Sequence, residues 1–174
     1  MIIAVDGPAA SGKGTIAKAL GRHYRLPVLD TGLLYRAVGL SVLKAGGDPD
    51  REEDALAACN FGDALLADAA LRSEAVGSLA SRVSVHQIVR DALVQRQRDF
   101  ATQPGGAILD GRDIGTVIAP DAAAAAAYYP AGYWYSLLEI PARSEFPGTG
   151  ADGNGISPNI HNQADFMRRV SSGG

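Results

Sequence analysis

The residues best suited to chemistry form one continuous run near the start of the chain, Gly7-Pro8-Ala9-Ala10-Ser11-Gly12-Lys13-Gly14-Thr15. The run matches G-x-x-x-x-G-K and then departs from the general motif, with Gly14 in the place of Ser or Thr and Thr15 one position late. Glycines at this spacing let the backbone turn its N–H groups into a nest around phosphate oxygens. A helix beginning at the end of the run adds its positive N-terminal end, and Lys13 reaches the phosphoryl groups. In a chain of this length the bare pattern arises by chance on the order of a few per cent of the time. A second group of polar residues stands at Asp30-Thr31-Gly32 and a third at Asp110-Gly111-Arg112-Asp113. Guanidinium groups suit a phosphate because their forked N–H donors match its oxygens bidentately.

The elements that must carry these residues can be read from hydrophobic spacing. Ile2 to Val5 is a short apolar run ending at Asp6-Gly7, which predicts a buried strand opening into a turn. After Gly12, Ile16, Ala19 and Leu20 recur at helical spacing, so the phosphate loop lies between a strand and a helix. Pro27-Val28-Leu29 predicts a second short strand, and Asp30-Thr31-Gly32 starts a helix that stops near Gly46-Gly47-Asp48-Pro49. Residues 50 to 80 are Ala-rich with glycine breaks, predicting a small helical insertion. Val85 to Phe100 predicts a helix with Ile88, Val89, Ala92, Leu93 and Phe100 on its apolar stripe, and Ala107 to Asp110 a third buried strand. Short apolar strands separated by helices imply parallel pairing through right-handed crossovers. The expected fold is therefore α/β, a parallel sheet flanked by helices in three layers. Ligands in such sheets bind at the carboxyl ends of the strands, where all three polar groups fall.

Composition narrows the function further. The chain has 174 residues, 47% of them hydrophobic and 20% charged, as expected for one globular domain with at most a small insertion. A net charge of −3 gives no global attraction for nucleic acid, so an anionic ligand must be held by a local cluster of Arg and Lys. The lone Cys59 excludes an intrachain disulfide, and nothing beside it would lower a thiol pKa. His23, His86 and His161 lack partners at metal-ligand spacing. No apolar stretch approaches the ~20 residues needed to cross a bilayer, and the N-terminus has no signal-like pattern, so a cytoplasmic protein is expected.

Several stretches together resemble bacterial cytidylate kinase, a nucleoside monophosphate kinase of the P-loop group. They are Val5-Asp6-Gly7-Pro8, Leu29-Asp30-Thr31-Gly32 with Tyr35-Arg36, Ala80-Ser81, Val89 to Leu93 with Gln95 to Arg98, and Leu109-Asp110-Gly111-Arg112-Asp113-Ile114-Gly115-Thr116. The resemblance covers about residues 1–121, and the Asp-Gly-Arg-Asp-Ile-Gly-Thr string separates it from adenylate and guanylate kinases. It implies transfer of the γ-phosphoryl of ATP to CMP or dCMP with Mg2+, by a monomer that needs neither nucleic acid nor a membrane. The loop Gly7 to Thr15 would bind ATP, and Lys13 and Arg112 would be the catalytic cations. Thr15 would bond phosphate with at most a weak role at the metal, and Asp110 would hold magnesium-bound water. Arg36 and Arg112 would hold the monophosphate, while Ser81, Arg90 and Asp113 would read the pyrimidine. Residues 48–84 would form the small monophosphate-binding insertion. Bland alternatives are a solvated Arg36, a surface pair of Arg90 with Asp91, and an ordinary turn at Arg112-Asp113.

Residues 122–174 break the pattern. Where the family continues with a buried strand, a helix and an arginine-rich lid, this chain has Ala122 to Ala127, then Tyr128 to Tyr135, then a tail rich in Gly, Pro and Asn. Its only arginines are Arg143, Arg168 and Arg169. The fold is thus expected to be incomplete at this end, with a poorly packed tail and an uncovered sheet edge. Loss of lid guanidiniums leaves a second reading, a nucleotide-binding module with little turnover.

Overall fold

A computed structural model describes residues 1–7 and 11–122, and beyond these the strand backbones at 124–129, 133–137 and 160–162. Two compact units are present: Met1–Leu29 with Phe100–Gly174, and Asp30–Asp99.

In the first unit, the apolar run at the N-terminus forms β1, Ile2–Asp6, and Ala107–Gly111 forms β3 beside it. The two are parallel, with Val5 opposite Asp110 and Asp6 opposite Gly111, so both strands deliver carboxylates at the same end. β3 is buried along its whole length, the pattern of an interior parallel strand rather than a two-faced one. Between them in sequence lie α1, Lys13–Tyr24, and β2, Val28–Asp30. Ile16, Ala17 and Leu20 on one face of α1 pack with Ile3, Val5 and Ile108 into a single apolar cluster. Burying side chains of this size stabilises the unit by ~1.5–3 kcal/mol each, and this is what presses the helix start against the strand ends.

The sheet order is β2-β3-β1-β4-β5-β6, with β4 at Ala124–Tyr129, β5 at Tyr133–Leu137 and β6 at Ile160–Asn162. β4 runs parallel to β1, pairing Ile3 with Ala124 through Asp6 with Ala127, and β5 and β6 continue antiparallel. This corrects the expectation of an uncovered edge at Ala122 to Ala127. A strand ladder is made by backbone N–H and C=O groups, so small side chains do not prevent pairing to an edge that would otherwise be unsatisfied. The expectation of a poorly packed tail concerns residues outside those described.

In the second unit, α2 spans Gly32–Lys44 and α4 spans Glu74–Val83, with α3, Glu52–Ala57, and two 3-10 turns, Asp63–Ala67 and Ala69–Arg72, between them. Ser73 caps α4, its hydroxyl accepting from the Val76 N–H at 3.3 Å. Gly39 of α2 faces Leu79 so closely that a Cβ would stand 2.8 Å from the Leu79 Cβ and 3.0 Å from its carbonyl carbon. The two helices therefore meet with little more than backbone between them at this point. An ion-pair cluster of Arg82 with Asp50 and Asp48 ties α4 to the turn before α3, and holds the Asp50 carboxyl below the usual carboxylate range.

The helix α5, Gln87–Ala101, confirms the expected element but not its whole stripe. Val89, Leu93, Gln97 and Ala101 are buried, whereas Ile88 is 38% exposed. The buried row advances by four residues, and Gln97 is tolerated in it because its amide donates to the Leu93 carbonyl at 3.0 Å. Arg96, on another face of α5, is held by three contacts. It donates to the Phe61 carbonyl at 2.9 Å, pairs with Asp63 and lies 4.1 Å from the centre of the Phe61 ring.

Candidate functional site

The phosphate-binding features assemble in the first unit. Gly12 precedes α1 with φ 84°, a left-handed conformation that only glycine adopts without strain, and this bend aims the first turn of the helix at the strand ends. The Gly12 carbonyl accepts from Thr15 at 3.0 Å and Ile16 at 3.3 Å, so the backbone alone forms the helix start. No acidic side chain stands in that turn to neutralise the positive end. Ser11 Oγ is buried and meets no hydrogen-bond partner among the described residues. Pro8, Ala9 and Ala10 of the expected loop lie outside them.

Lys13 and Asp110 come together across the loop, Nζ to Oδ1 at 3.9 Å, with the carboxylate side chain only 5% exposed. A Cβ on Gly14 would come within 3.2 Å of Asp110 Oδ2. The glycine that departs from the general motif therefore leaves the space next to this carboxylate open. A buried carboxylate beside a lysine and a helix N-terminus is a donor set that fits both a polyphosphate and a hydrated divalent cation, the cation taking oxygen ligands and waters. Among the described residues no group of three or more His, Cys, Asp or Glu could hold a metal by protein ligands alone.

Arg112 and Asp113 follow β3 on the surface, and Asp113 takes φ 57°. A left-handed residue with a side chain costs about 1–2 kcal/mol, so the turn must be held by other contacts. The next residues, Ile114–Ile118, form a single π-helical turn, a form that recurs at functional positions. Asp6 at the end of β1 holds it: Oδ1 accepts from the Ile114 N–H at 2.8 Å and Oδ2 from the Gly115 N–H at 2.9 Å. Burial pushes the Asp6 carboxyl above its ordinary value, Asp113 adds to that push, and the two backbone donors pull against it. The sequence offers Asp6 as the polar end of a strand and as part of the Val5-Asp6-Gly7-Pro8 stretch of the family resemblance, and neither names this partner. The sole local hint was a carboxylate entering a phosphate loop, where its own repulsion of phosphate calls for another partner.

The expected substrate residues of the second unit are gathered around α4. Arg36 donates through one guanidinium nitrogen to the Leu71 carbonyl at 2.8 Å and the Ser73 carbonyl at 3.0 Å, and the guanidinium lies against Gly77. It is therefore a fixed group rather than a solvated one. Ser81 stands one turn further along α4 and donates to the Gly77 carbonyl at 3.2 Å. Arg90 does not pair with Asp91. It donates to the carbonyls of Ser84 at 2.6 Å and Val85 at 2.9 Å and to Gln87, while Asp91 accepts from Gln87 at 2.7 Å. The charge of Arg90 also favours the ionised form of Tyr35, against the larger effect of burial, which raises that phenol. Cys59 donates weakly to the Ala55 carbonyl at 3.4 Å, and burial pushes its thiol up, the reverse of what a nucleophile needs.

A family model described as cytidylate kinase matches residues 3–127, ending within β4. Among curated proteins, a cytidylate kinase of Methylobacterium is 59% identical over 123 residues, which cover 70% of this chain and 59% of that protein. One from Rhodopseudomonas palustris is 57% identical over 123 residues, covering 70% and 58%. Another from Caulobacter is 56% identical over 124 residues, covering 71% and 57%. The chain thus spans somewhat under three-fifths of the length of these relatives.

Proposed function

We propose, from the premise that this chain belongs to the cytidylate kinase family, that it moves the γ-phosphoryl group of ATP to CMP or dCMP. The observation that carries the reading is the meeting of Lys13, the open Gly14 and buried Asp110 at the N-terminus of α1. The backbone N–H groups of the loop bind the donor's phosphates, and Lys13 offsets the charge that builds on the phosphoryl being transferred. Ser11, whose buried hydroxyl meets no partner among the described residues, is suited to bond a phosphate oxygen, and Thr15, exposed in the first turn of α1, serves the same task. Asp110 orients water around Mg2+, which when bound neutralises charge on the β- and γ-phosphoryl oxygens.

A phosphate oxygen of the acceptor forms the new bond to phosphorus as the bond to the β-phosphoryl oxygen breaks, leaving ADP. Arg36 and Arg112 hold the acceptor's phosphate. Ser81, Arg90 and Asp113 read the base, the carboxylate accepting from the exocyclic amine that cytosine has and uracil lacks. Residues 48–84 serve as the monophosphate-binding insertion. The relatives named as cytidylate kinases favour transfer over the alternative of a binding module without turnover. No helix among the described residues is long and apolar enough to cross a membrane. The proposed enzyme is a cytoplasmic monomer acting on small nucleotides.

The test is ADP release from ATP and Mg2+ in the presence of CMP, dCMP, UMP or AMP. CMP and dCMP should drive it fastest. Equal rates with AMP would reject the acceptor assignment, and ADP release independent of any monophosphate would reject the kinase.

A further inference from the structure

We propose that Asp6 is a positioning residue for base recognition, acting through the left-handed Asp113. The inference deepens the proposed function and rests on that reading for the identity of the ligand. Its structural basis is separate. Asp6 is 108 residues from Ile114 and 109 from Gly115, yet its two carboxylate oxygens take the two consecutive N–H groups that directly follow Asp113.

A bidentate clamp on those amides sets the peptide plane after Asp113. With the Asp113 carbonyl accepting from Val117 at 2.8 Å and Ile118 at 3.3 Å, the backbone on its C-terminal side is fixed. With Gly111 held in β3 on one side and Ile114 and Gly115 held by Asp6 on the other, Asp113 closes the turn at φ 57°. The clamp needs two acceptors. An amide at this position offers one and turns N–H donors toward the other amide, so Asp6→Asn is close in shape and opposite in effect.

Asp6 also precedes the phosphate loop directly, and the Gly7 N–H donates to the Gly111 carbonyl at 3.3 Å. The loop entry and the Arg112-Asp113 turn thus share one anchor within the first unit. The two side-chain bonds of Asp6 go to the turn after Asp113, so its effect on the acceptor's base should exceed its effect on ATP.

The experiment compares the full chain with Asp6→Asn, Asp113→Asn and the double variant. Equilibrium binding of CMP, UMP and ATP is measured by calorimetry, and amide hydrogen exchange by NMR. Asp6→Asn should lower the CMP-over-UMP preference by roughly ten-fold, the scale on which small misplacements of a recognition group act, and change ATP affinity by less than about two-fold. In the Asp113→Asn background the same change should leave the preference where that variant already set it. Equal losses for CMP and UMP, or a double variant whose loss is the product of the single losses, would overturn the proposal.

Hydrogen exchange separates this outcome from failure of the kinase reading. The Ile114 and Gly115 amides should exchange slowly in the native chain and at least about ten-fold faster in Asp6→Asn. If the native chain shows no preference for CMP, the acceptor assignment fails while these amides still decide the clamp. If Asp6→Asn does not fold, fast exchange of the two amides in the native chain is sufficient to overturn it.

Discussion

Gly39→Ala sets two effects of known sign against each other. Removing a glycine from the interior of α2 should stabilise the helix by ~1 kcal/mol, because alanine has less backbone freedom to lose. The new methyl would stand 2.8 Å from the Leu79 Cβ, 3.0 Å from its carbonyl carbon and 3.1 Å from the Ala80 nitrogen. Carbon atoms attract best at ~3.5 Å or more, so α4 must retreat by about 0.7 Å at this point. None of the three neighbours is the end of a flexible chain, and overpacking of this kind costs ~1–3 kcal/mol. The steric effect wins by roughly 1 kcal/mol, which lowers Tm by about 2–4 °C for a chain of this size. Because Ser81 lies on α4 and Arg36 bonds the segment leading into it, monophosphate affinity should fall as well. Thermal unfolding with titration of CMP measures both. A variant with raised Tm and unchanged affinity would refute the close helix contact and the role assigned to α4.

Other expected outcomes follow from the same contacts. Lys13→Ala should reduce ATP-dependent turnover by ~10³ while retaining the native circular dichroism spectrum, since Gly12 backbone bonds form the helix start. Asp113→Asn should weaken CMP more than UMP by ~1–3 kcal/mol in calorimetry, because the amide can present a donor to the uracil carbonyl. Asp6 predicts a pH effect whose sign is fixed by its raised pKa. The folded chain holds this proton more tightly than the unfolded chain, so the group's contribution is fully present below the unfolded value of 3.8 and is lost as pH rises through the folded value. Asp6→Asn should remove that part of the decline in urea-unfolding stability over the window above about pH 4.

The phosphate loop was legible in the sequence because all of its parts are local. A buried strand, a glycine pattern, a lysine and a helix start follow one another within Ile2 to Leu20, and each is dictated by its own residues and near neighbours. The three core strands and the long helices were legible for the same reason, as periodicity is a local property. At α5 the period holds and Val89 and Leu93 of the expected stripe are buried, but Ile88 is exposed and Gln97 is buried in the same row; only the packing of neighbouring elements decides how far each side of a helix turns inward.

What tertiary structure alone decided is where polar groups separated along the chain find each other. Nothing near Asp6 announces that it will hold Ile114 and Gly115, and nothing near Arg36 announces the carbonyls of Leu71 and Ser73. Those partners follow from the parallel register that sets Asp6 opposite Gly111, and from the Gly39 contact that lets α4 lie on α2. Nor did the small side chains of Ala124 to Ala127 reveal a strand, because its pairing with β1 is made by backbone groups common to every sequence. Side-chain type along the chain determined which groups could bind phosphate. The backbone's need to satisfy its own hydrogen bonds in the folded core determined how those groups are aimed.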